Sequence, residues 1–169
     1  MSFHAFEIGR FIGPELRTRC ALGRSGVRAA SAKTESDGAT PAGVWPLRRV
    51  LYRPDREPRP QTALPCEALR PNDGWCDAPE DPAYNCLVTH PYPASAERLW
   101  REDQVYDLIV VLGFNDEPVV PGRGSAIFLH LARPDWRPTE GCVAVDRDTM
   151  LAILAKARPG DAMTISAGD

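Results

Sequence analysis

The sequence predicts a mostly-β domain with one or two helices, arranged as a β-sandwich or barrel-like mixed fold. Three observations predict it. Apolar runs of strand length recur along the chain, the strongest being Tyr106-Asp107-Leu108-Ile109-Val110-Val111-Leu112-Gly113-Phe114. A helical pattern with clear start and stop signals occurs once, after Asp146. The chain carries 17 prolines, about twice the usual share. Each removes a backbone donor, which suits a loop-rich sheet better than a helical bundle. A parallel α/β fold would need more crossover helices. At 169 residues a single domain spanning 1–169 is expected, with enough chain to bury a core unaided.

Taken in order, residues 3–11 and 18–23 read as short strands, and Gly23-Arg24-Ser25-Gly26 as a turn. Residues 28–40 are small and polar, hence loop. Val44 to Tyr52 mixes apolar and basic residues at near-alternate positions, as a half-buried strand does. Residues 53–84, rich in prolines and acids, read as a long irregular insertion, a kind of loop that is usually functional or mobile. Residues 95–102 read as a short helix with Ser95 as N-cap. Tyr106–Phe114 is the central strand, followed by turns at Asn115-Asp116 and Gly122-Arg123-Gly124. Strands are expected at 125–131 and 142–145. Asp146 caps a helix through Ala157 that Pro159-Gly160 stops, and Ala162 to Ser166 forms a last strand.

The net charge of −3 supplies no field for a polyanion, so nucleic acid is not an expected partner. No apolar segment reaches membrane-spanning length. Residues 1–19 lack the basic start and apolar run of a secretory leader. The five cysteines, Cys20, Cys66, Cys76, Cys86 and Cys142, form no CxxC pair and match no zinc spacing. Two readings stay open for the first four: all reduced, or bridged in an oxidising compartment, with Cys76–Cys86 as the first candidate. A monomer is expected.

The chemistry is concentrated in Ser125-Ala126-Ile127-Phe128-Leu129-His130-Leu131 and Thr139-Glu140-Gly141-Cys142-Val143-Ala144-Val145. His130 ends one apolar run, and Cys142 opens the next, twelve positions on. An imidazole within hydrogen-bond reach is the usual means of activating a thiol. Gly141, without a Cβ, lets the backbone approach a substrate carbonyl, and amides here could bind a developing oxyanion. A buried structural cysteine and a structural histidine are the alternative reading.

These two blocks, with Gly38-Ala39-Thr40-Pro41-Ala42-Gly43-Val44-Trp45 upstream, resemble the L,D-transpeptidase catalytic domain of YkuD type. The likeness spans roughly residues 20 to 166. The Gly124–His130 block is similar to that of compact proteobacterial members. The family commonly has Ser where Thr139 stands, His at Glu140 and Arg at Ala144, and Gly or Ser at Leu131. These departures keep nucleophile and base and bear on acceptor choice.

The resemblance implies a YkuD-type fold and a peptidoglycan L,D-transpeptidase without cofactor or metal. Cys142 would form a thioester with a donor stem peptide, which an amine of a second stem captures to give 3-3 or 1-3 cross-links. His130 would act as base, oriented by the Leu131 carbonyl, and the amides of Gly141 and Cys142 would hold the oxyanion. It also implies acylation by carbapenem-type β-lactams and a place in the periplasm or cell envelope. Thr139, Glu140 and Ser125 are candidate substrate contacts. So are Trp75, Asp77 and Tyr84, read as an exposed polar–aromatic cluster that folds over the cleft to hold a glycopeptide, the alternative being a self-packed plug. Rival functions are a carboxypeptidase, endopeptidase or amidase on the same fold, and a non-catalytic peptidoglycan-binding module. Papain-like and NlpC/P60-type peptidases place Cys before His, whereas all three histidines here precede Cys142. A sortase would need a later arginine strand, and Arg147 and Arg158 fall in or beside a helix.

Overall fold

The computed structural model describes residues 2–168. Its elements are β1 (Ser2–Phe6), β2 (Arg10–Gly13), β3 (Leu16–Arg19), β4 (Val27–Ala29), a 3-10 turn at Ala30–Ala32, β5 (Thr40–Tyr52), β6 (Cys66–Ala68), β7 (Asp73–Cys76), β8 (Leu87–Thr89), β9 (Ala96–Arg98), β10 (Leu108–Leu112), β11 (Phe128–Leu131), β12 (Val143–Val145), α1 (Arg147–Lys156) and β13 (Ala162–Ser166). The fold is mostly strand with a single α-helix among the described residues, as the composition and patterning predict. No helix among them is long and apolar enough to cross a membrane.

The main sheet runs β12-β11-β10-β5-β13-β1-β2-β3, with β4 and β6 added alongside β5. The long β5 spans both halves: Gly43–Pro46 pairs with β13, and Leu47–Tyr52 pairs with β10. The sheet then curls until its ends meet. Beyond β3, Ala21 exchanges two backbone hydrogen bonds of 2.8 Å with Ala144. Leu22 O accepts from Thr139 N at 2.9 Å, and Arg24 N donates to Thr139 O at 2.8 Å. Closing a sheet in this way leaves fewer unpaired edges.

Alternation along the strands sorts the core into two layers. Leu108, Val110 and Leu112 of β10 join Phe3, Phe11, Val50, Leu129, Leu131, Val143 and Val145 on one side, where Met150, Ile153 and Leu154 of α1 pack. Ile109 and Val111 point the other way, with Leu51, Phe128, Trp75, Leu99 and Cys142. Both faces of β10 are buried, which explains its continuous apolar run. The three-stranded sheet β8-β7-β9 covers the second layer.

Three expectations are corrected. Segment 95–102 is not a helix: Ala96–Arg98 pairs antiparallel with β7, bringing Glu97 opposite Trp75. A helix so short is marginal by itself, and the strand pairing satisfies the same backbone groups. Segment 53–84 is not wholly irregular. It contains β6 and β7, and Leu64, Leu69, Trp75 and Cys76 are buried; its prolines fall outside these strands, where no ladder donor is needed. The run 3–11 is broken at Gly9, whose φ of +80° turns β1 back into β2.

Helix α1 begins where its sequence signal indicates. Asp146 accepts from Thr149 N and Thr149 Oγ1, each at 2.8 Å, satisfying one of the free donors of the first turn. Asp146→Ala is expected to cost about 1 kcal/mol in urea unfolding, and Asp146→Asn less. A loss within error for Asp146→Ala would show that packing of Met150 and Ile153 alone holds the helix.

Candidate active site

The parallel pairing of β11 with β12 sets Leu129 against Val143 and His130 against Ala144. One step back, Cys142 comes level with Phe128. Because side chains alternate, residues 128, 130, 142 and 144 share one face. Residues 129, 131, 143 and 145 share the other and are buried in the α1 layer. The even face carries the candidate pair, and the odd face anchors it in the core. His130 and Cys142 are each only 7% exposed.

The loop before Cys142 is fixed by its own residues and by the upstream block. Thr139 Oγ1 donates to Cys142 O at 2.7 Å and accepts from Gly141 N at 3.1 Å. Gly141 has φ +138°, and a Cβ there would lie 2.9 Å from Ala39 O, so both backbone angle and space call for glycine. Thr40, fully buried, accepts from Gly23 N through Oγ1 at 2.8 Å. The Gly38–Trp45 block therefore floors the nucleophile loop, a role its sequence distance conceals. The Gly141 amide, expected to hold an oxyanion, donates to Thr139 Oγ1 in the free protein.

The imidazole Nδ1 lies 2.9 Å from Leu131 O. A carbonyl can only accept, so Nδ1 carries the proton and Nε2 presents a lone pair. The Cys142 thiol donates to Ala126 O at 3.1 Å, and its sulfur accepts from Phe128 N at 3.4 Å. The thiol proton is thus directed at Ala126 and not at the histidine. Burial pushes the Cys142 thiol up to about 12, reinforced by the Glu97 carboxylate. Burial likewise lowers His130 to about 4, against the opposing hydrogen bond to Leu131 and with help from Arg101 and Arg133. The resting pair is neutral, where the sequence suggests a histidine-activated thiolate.

The pair opens onto a cavity of about 760 Å³. Of the residues expected to bind substrate, Ser125, Thr139, Glu140 and Asp77 line it. Ser125 Oγ donates to Glu35 Oε2 at 2.8 Å. Glu140 is exposed and meets Arg24 at 2.9 Å on the rim. Trp75 and Tyr84 are not an exposed platform: they are 5% and 2% accessible. Trp75 donates to Asn85 Oδ1 at 2.9 Å and packs edge-on to Phe128 beside a separate cavity of about 230 Å³. The Tyr84 hydroxyl donates to Glu35 and accepts from Gly124 N at 2.9 Å. The apolar second layer takes up Trp75, whereas Tyr84 is held by its hydroxyl bonds to Glu35 and Gly124. Of 53–84, Asp77 alone among the described residues reaches the cavity lining.

Sequence reasoning missed Glu97, Arg101, Tyr106 and Arg133, which also line the cavity. Tyr106 stands edge-on to His130 with centroids 5.3 Å apart. These residues come from β9 and the loops after β9 and β11, and no spacing pattern links them to Cys142. Among the described residues all five cysteines are free thiols; Cys76 and Cys86 sit at neighbouring strand ends, with Cys76 N donating to Cys86 O at 2.9 Å.

No curated protein and no solved structure matches the chain. The family model for the L,D-transpeptidase catalytic domain, YkuD, matches residues 5–165. That range takes in the closed sheet, the Gly38–Trp45 floor and the His130–Cys142 pair, and the chain belongs to the YkuD family of L,D-transpeptidase catalytic domains.

Proposed function

We propose that the protein is a peptidoglycan L,D-transpeptidase of the cell envelope in which Cys142 forms a thioester with a donor stem peptide. The observation that carries this reading is the shared face of His130 and Cys142 at the floor of a cavity large enough for a peptide. Donor binding displaces solvent and brings a carbonyl to the sulfur. His130 Nε2 then takes the thiol proton as the carbon–sulfur bond forms. Proton transfer and attack are coupled, because a preformed thiolate–imidazolium pair is disfavoured at this burial. The negative charge passes to the carbonyl oxygen, with the Cys142 amide as its candidate donor. His130 returns the proton to the departing amine. An amine of a second stem then captures the thioester, giving 3-3 or 1-3 cross-links.

Cys142→Ala is expected to abolish stem transfer, read as cross-linked muropeptides by mass spectrometry, while shifting the unfolding free energy by only about 1 kcal/mol. Undiminished cross-linking would overturn the assignment.

Neutrality of the resting pair has a signature in pH. With a thiol near 12, alkylation of Cys142 by iodoacetamide in the free protein should rise about tenfold per pH unit between pH 7 and 9, without a plateau. A plateau centred below pH 7 would mean a preformed ion pair. His130→Ala should leave this profile nearly unchanged, yet slow acylation by the donor stem by about 10² or more.

A carbapenem should add once, on Cys142. Peptide mapping that finds the adduct on Cys66 or Cys86, or none, counts against the reading.

A further inference from the structure

Thioester capture poses a proton problem that His130 cannot solve alone. A stem amine arrives as an ammonium and must lose two protons to become an amide. The His130 imidazole has one bare nitrogen, and that nitrogen is needed to protonate the departing sulfur. A second acceptor facing the cleft is required.

Of the four acids among the described residues that line the cavity, two are already engaged. Glu35 accepts from Ser125 and Tyr84, and Glu140 lies on the rim with Arg24. Glu97 is different. Its Oε1 accepts from the Tyr106 hydroxyl at 2.6 Å, and among the described residues its Oε2 takes no hydrogen bond. Tyr106 is itself held edge-on to both His130, at 5.3 Å, and Phe128, at 5.9 Å. Glu97 is thereby fixed relative to the base and sits close enough to Cys142 to raise its thiol. No nearby cation among the described residues hydrogen-bonds Glu97: Arg101, whose charge acts on it, binds Asp103 through two contacts of 2.7 Å, and Lys33 binds Asp37 at 2.8 Å and Thr34 O at 2.7 Å. A second observation points to a donor-rich ligand. Asp77 Oδ1, on the same cavity wall, is buried with no hydrogen-bond partner among the described residues. Such an atom is costly unless something donates to it.

We propose that Glu97, with Asp77 beside it, receives the ammonium group of the acyl acceptor and takes its first proton, directing the thioester toward amines and away from water. The proposal rests on the acyl-transfer reading above. Glu97 Oε2 accepts one proton from R–NH3+, leaving R–NH2. The amine nitrogen attacks the thioester carbon, the carbon–sulfur bond breaks, and its electron pair goes to Cys142 Sγ. The second N–H proton passes through His130 Nε2 to the sulfur, restoring thiol and neutral imidazole. Glu97 then releases its proton to solvent. Burial raises the Glu97 carboxyl above its ordinary value against the opposing Tyr106 hydrogen bond and Arg101 charge, with Asp77 and Glu35 adding to the rise, so its carboxylate is a better base than an exposed one.

The test compares two acceptors on the donor-acylated enzyme at neutral pH: a stem peptide bearing a diaminopimelate ammonium, and hydroxylamine, which is uncharged there. Glu97→Gln keeps an acceptor for Tyr106. It should lower the ratio of transfer to the ammonium over transfer to hydroxylamine by about ten- to a hundredfold, both read on the preformed acyl-enzyme, so that any change in acylation rate from removing the charge beside Cys142 drops out. Equal loss with both acceptors, or no loss with either, overturns the proposal while the acyl-transfer reading stands. Failure of the wild-type protein to acylate overturns both. Should Glu97→Gln not acylate, Tyr106→Phe frees Glu97 from its tether and must show the same selective loss, or the proposal falls.

Discussion

Everything at the site depends on one constraint: the ends of the main sheet are tied together at the nucleophile loop. Ala21 and Ala144 exchange backbone hydrogen bonds, and Thr139 bonds Leu22 and Arg24 on its two sides. These contacts bracket Gly141 and Cys142. The same closure seats Gly141 on Ala39 and Gly23 on Thr40. The loop therefore has little freedom to move unless the barrel opens. The Thr139 hydroxyl adds its own bonds to Cys142 O and Gly141 N, and the placing of Cys142 on the His130 face follows from strand register.

Burial is the second organising effect. Placing Cys142 and His130 on a face shared with Phe128 keeps both groups neutral in the free protein. A neutral thiol is protected from casual electrophiles. Its reactivity then depends on a bound substrate that excludes water and accepts the charge as it develops. The Leu131 carbonyl fixes the tautomer without adding a second charge to the layer. A carboxylate in that position would stabilise an imidazolium; a carbonyl does so far less.

The small sheet β8-β7-β9 is a wall and a source of polar groups. Trp75 and Tyr84 brace it, Trp75 through Asn85 and Phe128, Tyr84 through Glu35 and Gly124. Asn85 extends the brace by donating to Phe114 O at 3.1 Å and Asn115 O at 2.8 Å. What the wall presents to the cleft is Glu97 and Asp77, both acidic. The lining also includes Arg101 and Arg133, joined through Asp103. The cleft lining mixes these charged groups with apolar Val105, Ala126 and Ile127.

The sequence by itself determined the strands whose apolar patterning is strong, β5, β10 and β13, and the helix that Asp146 caps. It also pointed to His130 and Cys142, which the structure sets on one face of β11 and the segment leading into β12. Their signals are local: alternation, a cap three residues from its target, a glycine next to a thiol. Trp75, read as exposed, and segment 95–102, read as helical, went astray for a common reason. Each owes its place to a partner strand, β7 or β9, far away in sequence, and local propensity is silent about that pairing. The protonation state of the His130–Cys142 pair and the placing of Glu97 likewise came only from tertiary structure. Residue type states what a group can do in water, whereas burial and the neighbours that folding assembles decide what it does in the protein.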